Sequence, residues 1–304
     1  MNFVVTGGAG FIGTNLIKRL LSDGHKVFSM DNYSTGKKEH HIDDKNVYYR
    51  DIDISSIDSQ APISHIWNHK SINIDGVFHL AALARIQPSF HHPTKSFEAN
   101  SLGTQSIMEW VRQIDCPLVY AGSSSTHGDK YANPYTFTKW LGEEIIKMYS
   151  KIYNIPTIIT RFYNVYGEHQ ATEGAYCNVL GIFERLYAEG KPLTITGDGE
   201  QRRDFTYVGD IVDGLVKSME AMNNNSLINY LKYEAEEIEL GRGKNYSIND
   251  IAGAFGQYYS LEYIDAWPGE ARETLNTDTK AKELLGWNPT VDIIEYIKDN
   301  YENN

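Results

Sequence analysis

The sequence predicts an α/β chain built on a doubly wound parallel sheet. Strand and helix patterns alternate from the first residue, a glycine-rich turn joins the first strand to the first helix, and an acid closes the second strand. Phe3-Val4-Val5 reads as a short buried strand, followed by apolar residues at helical spacing over 11–21. Further strands are expected at 26–30, 46–49 and 76–80. A helix over 96–111 precedes a strand at 117–121, and a long helix over 134–153 precedes a strand at 156–162. Parallel strands need crossover helices, which cover both faces of the sheet, and those crossovers are right-handed.

Beyond Gly167 the rhythm loosens. A helix is expected over 179–189, a short strand at Leu193-Thr194-Ile195 and a helix over 210–222 returning to the first domain. Asn223-Asn224-Asn225 signals a loop, 249–259 another helix, and 279–285 and 291–300 small terminal helices. The expected division is residues 1–166 plus about 205–235 in the sheet domain, with about 167–204 and 236–304 in a smaller, interleaved α/β lobe.

A chain of 304 residues, 41% hydrophobic and 22% charged, can bury a large core. No stretch approaches the roughly 20 consecutive apolar residues of a membrane span. The amino terminus runs from strand into glycine loop and has no signal-peptide pattern. A net charge of −12 argues against nucleic acid as a partner, although a few arginines can still make one cleft attractive to phosphate. Cys116 and Cys177 form no CxxC pair, which suits a reduced, cytoplasmic compartment, and Cys116 beside Pro117 reads as a small buried hydrophobe.

Thr6-Gly7-Gly8-Ala9-Gly10-Phe11-Ile12-Gly13 follows the first strand and opens the first helix. Glycines at 7, 10 and 13 allow a tight turn, close approach to a pyrophosphate and packing of helix on sheet. The helix amino terminus offers N–H groups and the positive end of its dipole to phosphate oxygens. Asp31 ends the second strand, where a carboxylate accepts from ribose hydroxyls and repels a 2′-phosphate, so NAD is expected rather than NADP. This makes the sheet Rossmann-type. Asp51-Ile52 follows the third strand, where a side chain can contact adenine or simply end a strand. His79-Leu80-Ala81-Ala82 closes the fourth strand in small residues that leave room for a cofactor or suit close helix packing.

Ser123-Ser124-Ser125 follows the strand ending at Ala121, and Tyr135 and Lys139 sit four apart on one helix face. An ammonium beside a phenol lowers the phenol's pKa, and a tyrosine so tuned is a general base. A serine hydroxyl nearby can bind the reacting oxygen and relay its proton. A surface YxxxK pair is common by chance; the glycine loop and the sheet edge give this one its meaning.

On these residues the chain resembles the extended short-chain dehydrogenase/reductase family, in its nucleotide-sugar epimerase/dehydratase branch. The resemblance also rests on Asn32 with Ser34-Thr35-Gly36, Arg161-Phe162-Tyr163-Asn164-Val165-Tyr166-Gly167, Gly197-Asp198-Gly199-Glu200-Gln201-Arg202-Arg203-Asp204-Phe205, and Lys280-Ala281-Lys282-Glu283-Leu284-Leu285-Gly286-Trp287. It implies that Tyr135 removes the sugar hydroxyl proton, that Lys139 holds the nicotinamide ribose and that Ser123 is the catalytic serine, with Ser124 and Ser125 beside the substrate. Asn32, Ser34, Thr35, Gly36, Leu80, Ala81, Ala82 and Tyr163 would line the cofactor, and Asn100 would lie under it. Asn164 and Arg203 would contact the substrate diphosphate, with Arg272 a second ligand; each arginine reads alternatively as a surface ion pair. Asn178-Val179 would open the helix of the substrate-binding lobe, and backbone from Leu193 to Ile195 would pair with the nucleobase. The family pairs as homodimers through two helices per subunit, and the apolar positions over 96–111 and 134–153 permit that as they permit internal packing.

Relatives that eliminate water carry Thr-Asp-Glu where this chain has Ser-Ser-Ser, and decarboxylating relatives keep a glutamate there. The reading is therefore oxidation, rotation of a keto intermediate and return of hydride: 4-epimerisation, with a UDP-hexose the favoured substrate. A dehydratase, decarboxylase or reductase on this scaffold, or a non-catalytic NAD-sensing protein, stand as alternatives. No metal is expected. The chain departs from the family at His127, usually Tyr, at Trp267, usually basic, and in the short segment from Gly128 to Tyr135, which could admit a bulkier sugar substituent.

Overall fold

A computed structural model describes residues 1–57, 72–224, 234–267 and 271–302. Seven parallel strands form the main sheet: β1 (Asn2–Thr6), β2 (Lys26–Asp31), β3 (Val47–Asp51), β4 (Gly76–His79), β5 (Leu118–Ser123), β6 (Thr157–Phe162) and β11 (Glu236–Leu240), in the order β11-β6-β5-β4-β1-β2-β3. Successive residues alternate between two buried faces. Phe3 and Val5 pack into one core and Val4 into the other; Val119 and Ile158 oppose Tyr120 and Ile159 in the same way. Both faces are apolar because both are covered. Helices α1 (Phe11–Ser22) and α7 (Val208–Asn223) cover the first face, and α4 (Gly103–Ile114) and α5 (Pro134–Tyr153) the second. Strand order reverses between β1 and β4, so a crevice opens there at the carboxyl ends of the strands, where doubly wound sheets bind ligands.

The helix expected over 96–111 is three pieces. Short helices α2 (Ile86–His91) and α3 (Pro93–Phe97) lead into a π-turn at Glu98–Leu102 before α4 begins. Buried Asn100 lies in that turn, holding Leu83 N–H and C=O at 2.8 and 3.1 Å and Thr138 Oγ1 at 3.0 Å. The widened turn delivers an amide that a regular helix would aim elsewhere. Asn100 thus supports the loop after β4.

The smaller lobe comprises β7 (Val165–Tyr166), α6 (Val179–Ala188), β8 (Leu193–Thr196), β9 (Arg202–Asp204), β10 (Thr206–Tyr207), β12 (Asn245–Ser247), α8 (Ile248–Gly253), β13 (Leu261–Ile264) and α10 (Ile293–Ile297). They enclose a third core of Tyr166, Leu180, Phe183, Ile195, Ile251 and Phe255, among others. The helix expected over 249–259 stops at Gly253, because Gly256 at φ 139° turns the chain out of helical geometry. The last helix ends at Ile297 in a π-turn, Lys298–Glu302. Asn225 and Pro268-Gly269-Glu270 lie outside the described residues.

The expected boundary at 235/236 needs correction. Strand β11 pairs in register with β6, and α9 (Lys280–Leu285) sends Ala281, with Trp287 beyond it, into the first core. The apolar faces of these segments complete the sheet domain, because β6 would otherwise be an uncovered edge. Asp204 joins the two regions: its buried carboxylate accepts from the backbone N–H of Arg242 (2.9 Å), Gly243 (2.9 Å) and Asn276 (3.0 Å). Replacing Asp204 with Ala strands three donors and is expected to cost about 3 kcal/mol. Denaturant unfolding measures this, and a loss below about 1 kcal/mol would show that water replaces the carboxylate without penalty.

Candidate active site

The glycine turn sits at the strand-order reversal. Gly7 has φ 71°, and a Cβ there would lie 2.8 Å from Ala81 N; one on Gly13 would lie 2.1 Å from Gly7 O. Only glycines let turn, helix and the loop Leu80-Ala81-Ala82 approach so closely. Gly10 precedes α1 without a side-chain cap, so Phe11, Ile12 and Gly13 N–H groups lack intrahelical acceptors and face the crevice end of the helix. Below, His79 bridges Thr6 Oγ1 (2.7 Å) and Thr104 Oγ1 (3.1 Å); burial lowers its pKa to about 3, so it is a neutral pin between strand and helix.

Asp31 ends β2 beside the turn. Its carboxylate accepts from Ala9 N–H (2.9 Å) and Tyr33 N–H (2.8 Å) and lies within 2.9 Å of where a Gly36 Cβ would stand. Burial pushes its pKa up, and the two backbone donors work against that rise. Asn32 donates to Asp53 at 3.0 Å and accepts from Ser34 N–H at 3.0 Å, while Ser34 and Thr35 are exposed. Asp51 pairs in register with Asp31 across β2–β3, stands 3.9 Å from Lys38 and precedes half-buried Ile52. The structure thus gathers Gly7, Gly10, Phe11, Ile12, Gly13, Asp31, Asn32, Ser34, Thr35, Gly36, Asp51, Ile52, Leu80, Ala81 and Ala82 around one crevice. The uncapped helix end and the cradle that a Cβ would fill fit a dinucleotide pyrophosphate.

Ser123 is the last residue of β5, and Tyr135 stands in the first turn of α5. Asn133 caps that helix by accepting from Thr136 N–H at 2.8 Å, with Pro134 at the position that needs no donor; Tyr135 N–H donates to Ser89 Oγ at 3.1 Å. These local fixings place the Tyr135 hydroxyl 3.1 Å from Ser123 Oγ, which lies 2.9 Å from Ser125 Oγ. Ser124 lies between them in the turn.

Lys139 departs from expectation. Its Nζ donates to Ala121 O (2.6 Å) and Tyr120 Oη (3.1 Å) and lies 4.4 Å from the Tyr120 ring centroid, while no hydrogen bond joins it to Tyr135. Burial lowers its pKa to about 8. The Tyr135 phenol is pushed up by burial, against which the Ser123 hydroxyl and the Arg85 charge act. The i,i+4 spacing shares a face, as expected, but the carbonyl under the lysine captures its ammonium.

Arg85, Tyr120, Glu143 and Glu239 were not singled out from sequence. Glu143 had a signal, four residues beyond Lys139 on the same helix face. It binds Arg161 at 2.7 Å, deep under β5 and β6. Tyr163, expected at the cofactor, is buried beside Glu239; burial raises its pKa.

The substrate-side residues divide. Asn178 caps α6 through Gly181 N–H (2.7 Å) and spends its amide on Val165 O (3.0 Å) and Gln170 (2.8 Å); Val179 follows at the helix start. Asn164 donates to Asp204 O at 2.9 Å and Thr274 Oγ1 at 3.2 Å. Both side chains hold the fold here. Arg203 Nη1 reaches Arg202 O (3.0 Å) and Arg272 O (3.4 Å), and Arg272 forms a bidentate, exposed pair with Asp198 at 2.7 and 2.9 Å. The expectation for the nucleobase needs correction. Leu193 N–H donates to Ser260 O and Gly197 N–H to Ile264 O, so the ladder commits the backbone of Leu193 and Ile195 to β13. The outward backbone edge belongs to Thr194. Among the described residues no cluster of metal-ligating side chains occurs.

A family profile described as NAD dependent epimerase/dehydratase family matches residues 3–230. A putative UDP-glucose 4-epimerase of Methanocaldococcus jannaschii is 31% identical over 97% of this chain and 95% of its own. The structure of Thermotoga maritima UDP-glucose 4-epimerase with UDP-glucose superposes with a TM-score of 0.85 at 27% identity, covering 98% of this chain and 96% of that one. Bacillus cereus UDP-glucuronic acid 4-epimerase, in complex with UDP-glucuronic acid and NAD, gives 0.84 at 28% identity over 99% and 98%. With the glycine cradle, the Ser123–Tyr135 pair and a profile match over most of its length, the chain belongs to the NAD-dependent epimerase/dehydratase family.

Proposed function

We propose that this protein is an NAD-dependent epimerase that inverts C4 of a UDP-hexose. The observation that carries this reading is the Tyr135 hydroxyl 3.1 Å from Ser123 Oγ at the crevice edge, in a turn built of serines with no carboxylate for elimination. The residues that would hold NAD are the Gly7–Gly13 turn at the pyrophosphate and Asp31 at the adenosine ribose. Bound there, NAD supplies a reversible hydride acceptor. Tyr135 takes the C4 hydroxyl proton and later returns it, Ser123 holds the same oxygen, and Lys139 keeps a cation beneath the site. Arg203 and Arg272 serve the diphosphate, and the outward Thr194 backbone serves the uracil. The curated relative and the solved structures above act on or hold UDP-sugars by name, which supports the choice of nucleotide.

The working form is a homodimer in the cytoplasm. Helices α3 to α5 and the π-turn expose Phe97, Leu102, Met148 and Ile152, apolar side chains that a second copy would cover. Sedimentation equilibrium of the pure protein checks this; a monomer at micromolar concentration excludes it.

Incubation with UDP-, GDP- and dTDP-hexoses, N-acetylated sugars and hexuronic acids included, followed by separation of epimers, tests the activity. The expected product is an epimer of unchanged mass without net NAD reduction. A product lighter by water or carbon dioxide would replace the reading with elimination or decarboxylation, as in a UDP-glucuronic acid decarboxylase of Xenopus tropicalis that is 28% identical to this chain.

A further inference from the structure

His127 ends the turn that begins at Ser123. Thr126 Oγ1 donates to Ser123 O at 2.8 Å and Gly128 N–H to Ser125 O at 3.2 Å, so the turn moves as one piece. His127 Nε2 stands 3.0 Å from Glu239 Oε1, at the end of β11; the imidazole is 49% exposed and the carboxylate only 8%. Glu239 Oε1 also takes Arg161 Nη1 at 3.2 Å, Arg161 is held by Glu143 and Glu237 at 2.7 and 2.9 Å, and Glu143 lies 3.5 Å from Ser123 N. A circuit therefore runs from Ser123 through Glu143, Arg161 and Glu239 back to His127. At the buried centre two carboxylates, Glu143 and Glu239, face one permanent cation, Arg161, while the more exposed Glu237 shares Lys147 with Glu144. A buried charge left without a partner is costly, and His127 is placed to supply the second cation.

We propose that His127 is a positioning residue for Ser123: as a protonated imidazole bound to Glu239, it fastens the serine turn to β11. This rests on the reading of Ser123 and Tyr135 given above. The groups facing the imidazole are Glu239 of β11, Arg161 of β6 and Glu143 of α5; the Glu239 hydrogen bond is the largest influence and raises the His127 pKa, against burial. The ion pair is complete below the ordinary value of 6.5 and is lost as pH rises through the raised one.

The test compares pH profiles of kcat and KM for the full-length wild type, H127Q, H127K and Y135F, on a UDP-hexose that the wild type turns over. At pH 6.5 H127Q is expected to lose about tenfold in kcat with KM and bound NAD unchanged. The ratio of wild type to H127Q should fall toward one as pH rises; taking the ratio cancels the opposite slope of the Tyr135 phenol. H127K, with its cation retained at higher pH, should restore the rate and keep it where the wild type declines. A constant ratio, or H127Q equal to wild type at all pH, overturns the proposal while an inactive Y135F keeps the parent reading. Turnover by Y135F, or a wild type inactive on every UDP-hexose, overturns both.

Discussion

Tyr135→Phe is expected to lower turnover by about 10²- to 10⁴-fold while the protein retains NAD. The phenol is the group aimed at Ser123 Oγ, 3.1 Å away, and Ser123 Oγ has Ser125 Oγ as a second hydroxyl neighbour at 2.9 Å. Phenylalanine keeps the ring and its packing and removes the one atom able to accept the sugar proton. Because the Tyr135 N–H bond to Ser89 and the Asn133 cap lie on backbone, the helix start survives the change. Lys139 is not a substitute base: it is a buried donor whose ammonium already serves Ala121 O and Tyr120. Steady-state rates, together with absorbance of NAD released on denaturation, check both halves. Wild-type turnover by the variant would remove the assignment.

Gly13→Ala carries the second large effect. The new methyl would lie 2.1 Å from Gly7 O and 2.7 Å from Gly8 Cα, and both are backbone atoms of the turn itself. Neither can swing aside as a flexible side chain would, so the turn must open. Overpacking of this kind costs about 3 kcal/mol, which corresponds to about a hundredfold in NAD affinity. Gly253→Ala is the control, since a Cβ there meets nothing within 4 Å. Calorimetric titration with NAD separates the two; affinity of the Gly13 variant within threefold of wild type would place the pyrophosphate elsewhere.

Much of the site was legible in the chain because its logic is local. Gly7, Gly10 and Gly13 announce a turn through their spacing, and Tyr135 and Lys139 share a face through the pitch of one helix. Other residues have partners remote in sequence, which no local pattern announces. Asn164, expected at a diphosphate, gives its amide to Asp204 O, whereas Asn178 opens α6 as expected and adds a bond to Val165 O. Leu193 and Ile195 look like a nucleobase edge, but β13 takes that side of the strand. In the sequence His127 is only a departure from family habit; its partner, Glu239, lies more than a hundred residues away.

The sequence by itself determined the alternation of strand and helix, the glycine turn after the first strand and the sharing of one helix face by Tyr135 and Lys139. Periodicity, glycine stereochemistry and helical pitch all act within a few residues. Only the tertiary structure decided that β11 closes the main sheet, that Lys139 turns to Ala121 O, and which carboxylates surround Arg161. Those outcomes depend on which distant segments bury one another, and burial selects the partner of each charge and hydroxyl it removes from water.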